Sequence, residues 1–269
     1  MKINALLAAL LAGTLLIGSC TEPEPLPGPD PGTEEPNNPG EFVDPEDPEE
    51  PSCKGIKNAA DLKAFADSVN QGGRLEPFTV LGKVVLLQDI DMDGVGDWEP
   101  IGKPSSVDNA NTSASYTGSA FTGYFDGCGH AIYNFRQTVT VPAKGTYGLF
   151  GVLDGATVEN LVLGRSEDKS TFTVLAAGTA DAGILAGTAV NGATIRNCTN
   201  RIPLIVGGTS SESSRFASGC FVGYACSSDK AVTLEKLTNE APVQMTYGSN
   251  TTNGAAGVMV GGSAGFCTG

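Results

Sequence analysis

Gly148-Leu149-Phe150-Gly151 returns as Gly183-Ile184-Leu185-Ala186-Gly187, as Gly219-Cys220-Phe221-Val222-Gly223 and as Gly257-Val258-Met259-Val260-Gly261. The first glycines are 35, 36 and 38 residues apart. Two further segments keep pace. Ala156-Thr157-Val158-Glu159-Asn160-Leu161 aligns with Ala193-Thr194-Ile195-Arg196-Asn197-Cys198 and with Val232-Thr233-Leu234-Glu235-Lys236-Leu237. Thr171–Leu175 aligns with Ile202–Val206 and Val243–Tyr247. Each period therefore reads as three short strands separated by Gly, Asn or Ser turns. A period of this length marks stacked units, none of which buries its apolar face alone. Three strands per pass of the chain predict an all-β fold, a parallel β-helix over 75–269, with rungs about 4.8 Å apart. A β-propeller, whose blades need four strands in a similar span, is the competing architecture. Stacking puts Val158, Ile195 and Leu234 in an inward column. It puts Glu159, Arg196 and Glu235 in an outward column of alternating charge. Asn160 and Asn197 mark a corner suited to left-handed backbone, and Lys236 at the next step predicts a corner that differs.

Composition supports a β-rich body. Of 269 residues, 36 are Gly, 17% are charged and 7% are aromatic, which argues against a helical bundle or coiled coil. The net charge of −14 argues against a nucleic-acid partner, which needs a basic face. That charge is concentrated. Residues 21–52 hold eleven acids, ten of the sixteen prolines and no Lys or Arg. Such a segment cannot bury enough apolar surface to fold alone and reads as an extended stalk.

The N-terminus reads as an address. Ala5–Ile17 is an apolar run too short to span a bilayer, behind a single Lys2, and fits a signal-peptide core over 1–19. Ile17-Gly18-Ser19-Cys20 resembles a lipobox, which makes Cys20 the lipidated first residue of the mature chain, followed by the 20–52 linker. More than one acyl chain gives stable anchoring. Glu22 and Glu24, just after the cysteine, resemble the surface-export signal of lipoproteins in some gut-dwelling Gram-negative bacteria. The expected location is the outer membrane, lipid-anchored and facing out.

Between linker and repeats, Leu62, Phe65, Ala66 and Val69 fall at helical spacing, Asp61 sits in the first turn and Gly72-Gly73 stops the run. This predicts a capping helix within 53–74 that lids the first apolar rung. Then come Asp89-Ile90-Asp91, Trp98-Glu99-Pro100-Ile101-Gly102, Phe121-Thr122-Gly123-Tyr124-Phe125-Asp126-Gly127-Cys128-Gly129-His130-Ala131-Ile132 and Gly148-Leu149-Phe150-Gly151. In this order the string resembles the GLUG-motif (Gly-Leu-hydrophobic-Gly) repeat proteins of bacterial cell surfaces, strongly over 56–165 and weakly over 183–261. Related repeats occur in large adhesins and beside the catalytic domain of IgA-cleaving metallopeptidases. The resemblance implies a right-handed β-helix exposed at the cell surface, with Gly148, Gly151, Gly183, Gly187, Gly219, Gly223, Gly257 and Gly261 as structural repeat positions. Cys128 stands where the family favours Asn, which predicts an altered turn.

Few residues carry candidate chemistry. His130 is the single His and lies in the turn-to-strand motif, so a structural imidazole is expected. With one His and no His-x-x-x-His or Cys-x-x-Cys pair, the spacing argues against a zinc enzyme. Asp89, Asp91, Asp93, Gly94 and Asp97 match an EF-hand-like loop, but Pro100 stands where a bidentate Glu belongs. The expected reading is a structural acidic turn with no cofactor, and Ca²⁺ is the alternative. Glu159 and Arg196 are read as a stacked ion pair. Cys220 and Cys226 are close enough to close a small disulfide loop, and Cys198 is expected as a buried thiol. These features predict a non-catalytic surface lipoprotein whose repeat surface serves adhesion or contact with a glycan or surface protein. The alternative of another class is a carbohydrate-active β-helix enzyme, a lyase or hydrolase. Since only Gly262–Gly269 follow the fourth Gly-apolar segment, either a longer protein or edge-to-edge self-association is expected.

Overall fold

From Tyr124 onward each pass of the chain visits four sheets in the same order, and the first two of these passes enter the first sheet as two short strands. The computed structural model describes residues 54–110, 113–140, 144–175, 179–208, 216–226, 230–247, 258–261 and 264–268. Residues 1–19, read above as a signal peptide, Cys20, the acidic 21–52 segment, Cys53 and Gly257 lie outside the described residues. Sheet A has nine strands, among them Lys83–Val85, Tyr124–Asp126, Thr157–Glu159, Thr194–Asn200 and Thr233–Asn239. Sheet B holds Arg136–Thr140, Thr171–Leu175, Leu204–Gly208 and Val243–Tyr247. Sheet C holds Lys144–Tyr147, Thr179–Gly183, Phe216–Gly219 and Val258–Gly261. Sheet D holds Phe150–Asp154, Ala186–Val190, Val222–Cys226 and Ala264–Thr268. Pairing between periods is parallel throughout. Among the described residues, antiparallel pairs are confined to Thr79–Val80 against Lys83–Val85 and to a hairpin, Pro104–Ala110 with Ser113–Gly118.

A pass thus enters four sheets, with four or five strands, where three strands were expected. The first three Gly-apolar-Gly segments are not single strands. Each is a junction in which a two-residue bend, at 148–149, 184–185 and 220–221, carries the chain from sheet C into sheet D, with Leu149, Ile184, Leu185 and Phe221 buried at the bend and flanking residues in the strands. The fourth strand removes the counting argument against a propeller, but the pairing replaces it. A propeller blade pairs the strands of one period with each other, whereas here they enter four different sheets.

The bends explain the glycines. A Cβ on Gly183 would sit 2.2 Å from the carbonyl O of Ala186 and 2.5 Å from the N of Gly223. On Gly187 it would sit 2.6 Å from the N of Tyr147. Register also corrects the fourth repeat. Gly219 pairs with Gly261, and Val222 with Ala264, so Gly261 follows Gly148, Gly183 and Gly219 in its column, and Gly257 does not. Val258-Met259-Val260 extends sheet C and is not a bend.

The inward columns match expectation. Phe125, Val158, Ile195 and Leu234 are in register on sheet A, the first three fully buried. Each such side chain contributes about 1.5–3 kcal/mol by leaving water. The corner after this column is uniform: Asn160, Asn197 and Lys236 take φ of 53°, 52° and 52°. The expected departure at Lys236 is absent, because the left-handed turn is set by stacking and Lys is forced to adopt it. Cys128 adopts the same region (φ 51°), in a turn two residues longer than the Asn160 corner.

Among the described residues, one α-helix precedes the sheets. α1 spans Ala59–Gln71, where the 53–74 reading placed it. Asn58 caps it by accepting from the N–H of Asp61 at 2.9 Å, and Gly72 ends it in left-handed geometry. Its buried face is Leu62, Phe65 and Ala66, and Phe65 lies 5.6–6.0 Å from the rings of Phe78, Phe121 and Phe125. No described helix is long and apolar enough to cross a membrane.

Candidate functional site

The outward side chains of sheet A form two charged clusters. Because strand residues alternate, Asp126, Glu159, Arg196 and Glu235 share one outward column beside the buried Phe125–Leu234 column. Lys83 reaches across two strands, 3.3 Å from Asp126 Oδ2 and 3.2 Å from Glu159 Oε1. The Arg196 guanidinium lies 2.6 Å from Glu159 Oε2 and donates to the Tyr124 hydroxyl at 2.9 Å. Lys83 Nζ also sits 4.2 Å above the Tyr124 ring. Two cations and two anions therefore cancel. Burial pushes the Glu159 carboxyl up, but hydrogen bonds from Tyr124, Arg196 and Lys83 outweigh it and hold it below the usual carboxylate range. Asp126 behaves alike, with Asn160, the Cys128 N–H and Lys83 overriding burial.

The second cluster takes up the acids of the EF-hand-like segment. Asp89 accepts from the Ala131 N–H at 2.8 Å, meets His130 Nδ1 at 3.2 Å and pairs with Arg165. Arg165 in turn lies 3.9 Å over the Tyr133 ring. Asp91 accepts from the Asn134 amide at 2.6 Å and from the Asp93 N–H at 2.9 Å. Asp93 pairs with Lys169 at 2.9 Å. Asp97 is exposed beside Trp98 and lines different surfaces. The four acids do not converge, and among the described residues no group of three or more His, Cys, Asp or Glu is arranged to hold a metal ion. Burial pushes Asp89 up, but the Ala131 N–H, Arg165 and His130 hold it below its ordinary value. His130 thus serves as a partner of Asp89, as its place in the motif implied.

The cysteines correct one expectation. Cys220 and Cys226 are not joined: Cys220 is a free thiol in the main core, and Cys226 packs in a separate cluster with Val152, Val190 and Tyr224. Val222–Cys226 is an extended strand rising about 3.3 Å per residue, which carries the two Cα atoms far past the 4.4–6.8 Å a disulfide spans. Cys198 is buried as expected, and desolvation pushes its thiol up to about 11.

Sequence reasoning found the Glu159–Arg196 pair but missed Lys83, Tyr124 and Asp126, which lie in the less regular first passes. It also missed Arg165, carried on a loop with no counterpart in other periods. Chemically, both clusters present ionised, mutually satisfied groups suited to recognition by charge and hydrogen bonding.

No protein-family model and no curated protein matches the chain. Among solved structures, one described as "a putative immunoglobulin A1 protease from Bacteroides ovatus" is similar at 14% identity, with 72% of this chain and 83% of that chain covered. Its TM-score is 0.26, too low to carry an argument about this chain.

Proposed function

We propose that the chain is a lipid-anchored outer-membrane protein whose four-sheet body is a right-handed parallel β-helix with GLUG-type repeats. In this reading it displays a non-catalytic surface for adhesion or for contact with a glycan or surface protein. The observation that carries the proposal is the state of the outward carboxylates. A glycosidase or lyase needs one carboxyl kept protonated near neutral pH, or a base left poised. Glu159, Asp126, Asp89 and Asp91 are all held below their ordinary range, by hydrogen bonds from donors and cations already in contact. Anchor, stalk and rigid ladder follow from Ile17–Cys20, residues 21–52 and the repeat register.

Two experiments test it. Cys20→Ser should release the protein from the membrane fraction, and protease added to intact cells should cut the wild-type body. A glycan and matrix-protein array on the purified chain should show specific binding. Turnover of an arrayed glycan that is lost in Glu159→Gln or Asp89→Asn would instead establish the carbohydrate-active alternative.

A further inference from the structure

The four sheets all end on the same pass. Among the described residues, Thr233–Asn239, Val243–Tyr247, Val258–Gly261 and Ala264–Thr268 each pair on one side only. On sheet A, the Thr233 and Glu240 N–H groups donate back to Ala193 O and Asn200 O, and alternate residues of the strand face away from the stack. The apolar columns run on to this edge without a cover. Ile195, Cys198 and Leu204 are buried, whereas Leu234 and Leu237, in register with the first two, are half-buried, and Val243, in register with Leu204, is 41% exposed.

Three side-chain ladders reach the edge unfinished. In the first, outward charge alternates: Glu159 pairs with Arg196, and Glu235 follows in register. Glu235 is more than half exposed, and its one described ion pair is with its chain neighbour Lys236, at 3.5 Å. In the second, Arg201 pairs with Glu240 at 2.8 Å, and Glu240 stays about half exposed. In the third, the Asn200 amide donates to Ile202 O at 3.0 Å and to Asn239 Oδ1 at 2.8 Å. Asn239 repeats the first of these bonds, to Ala241 O at 2.8 Å, which leaves its second amide proton for one more step.

The ladders specify what would finish them. Opposite charges stabilise neighbouring strands, so cations continue the Glu235 and Glu240 columns. Asn continues Asn239, aliphatic side chains continue Leu234 and Leu237, and the left-handed corner at Lys236 is best followed by Asn. The pattern is aliphatic, cation, Asn, aliphatic, any residue, Asn, cation. Ile195-Arg196-Asn197-Cys198-Thr199-Asn200-Arg201 follows it with Cys198 as a small apolar member, on the strand that already pairs with Thr233–Asn239. A second copy of this chain does not supply such a strand. Its sheet A begins with the antiparallel Thr79–Val80, and two copies joined at this edge would set Thr233–Glu240 against itself, two acids against one Lys. We infer that the edge at Thr233–Glu240 binds a separate polypeptide, which adds one parallel strand of this basic, Asn-bearing pattern. Of the proposed function, the inference rests on the protein-contact arm alone and gives it a location.

The probe is a fluorescent synthetic peptide of residues 193–206 carrying Cys198→Leu, titrated by anisotropy into the full chain purified in detergent. Binding should be saturable and should slow amide hydrogen exchange in 233–239. Glu235→Lys combined with Glu240→Lys should weaken it tenfold or more. A second peptide, with Arg196→Glu and Arg201→Glu, should be refused by the wild type and bound by that double variant, which also shows that the variant is folded. No saturable binding, equal binding of the two peptides by the wild type, or slowed exchange only outside 233–239 overturns the inference. So does a wild type that sediments as a dimer and dissociates in the double variant, which gives the edge to a second copy. A wild type that refuses the first peptide yet binds the glycan and matrix-protein array overturns the edge and leaves the surface-binding proposal standing. A silent array beside charge-dependent peptide binding upholds the edge and rules out glycans and matrix proteins as its partners.

Discussion

Glu159 sits almost wholly buried between Lys83 and Arg196, so neutralising it removes the carboxylate paired with Arg196 and leaves Lys83 with Asp126 alone. Both cations are more than a third exposed, and water screens part of the loss. Glu159→Gln is therefore expected to cost about 1–2 kcal/mol, read by denaturant unfolding. The same contacts set a pH dependence. Glu159, Asp126 and Asp89 are depressed in the folded chain, so their stabilisation is fully present above the ordinary carboxylate range. It is lost as pH falls through their folded values. Melting temperature should stay level from about pH 7 to 5 and drop below about pH 4, less steeply in Glu159→Gln. At the corner, the Asn197 amide donates to Asn160 Oδ1 at 2.6 Å, and Lys236 continues the left-handed column without that bond. Lys236→Asn should stabilise by about 0.5 kcal/mol, since Asn tolerates this backbone better, and thermal melting would show it. Lys236 also marks a limit of sequence reading: a column can change its side chain and keep its backbone.

At the scale of the element, α1 closes the apolar end of the body through one ring. Phe65 is fully buried against three other phenylalanines, so Phe65→Ala should cost about 3–5 kcal/mol in unfolding experiments. The helix was legible because its apolar residues fall at i, i+3 and i+4 and Gly72 stops them. The strand-to-strand bends were not legible. Gly-apolar-apolar-Gly has no period to read, and residues buried at a bend look the same as residues buried along a strand. The last repeat was misaligned for a related reason. Gly254, Gly257, Gly261 and Gly265 all offer a glycine beside an apolar residue. Only backbone pairing with Gly219 selects Gly261. Of the charged site, the regular column Glu159–Arg196 could be read from the repeat. Lys83, Asp126 and Arg165 could not, because they come from passes interrupted by turns and loops.

At the scale of the whole molecule, the stacked passes depend on backbones meeting where glycine stands. Gly187→Ala places a carbon against backbone from the neighbouring pass, and overpacking there should cost about 3 kcal/mol. Gly94→Ala is the control. Its φ of +84° carries strain, but nothing lies within 4 Å, so the loss should be about 1 kcal/mol. Circular dichroism melts of the two variants decide whether close approach or backbone freedom weighs more at these glycines. The hairpin Pro104–Ala110 and Ser113–Gly118 has a different relation to the stack. Gly102 O accepts from the Val152 N–H at 3.0 Å, and the Phe121 N–H donates to Val152 O at 2.9 Å, so both ends of the excursion are pinned to one residue. An interruption that leaves and returns at the same point neither lengthens nor shifts what surrounds it. Evolution or an engineer can exchange residues 103–120 for a longer loop, a tag or a folded guest at this portal, while the passes on either side keep their count.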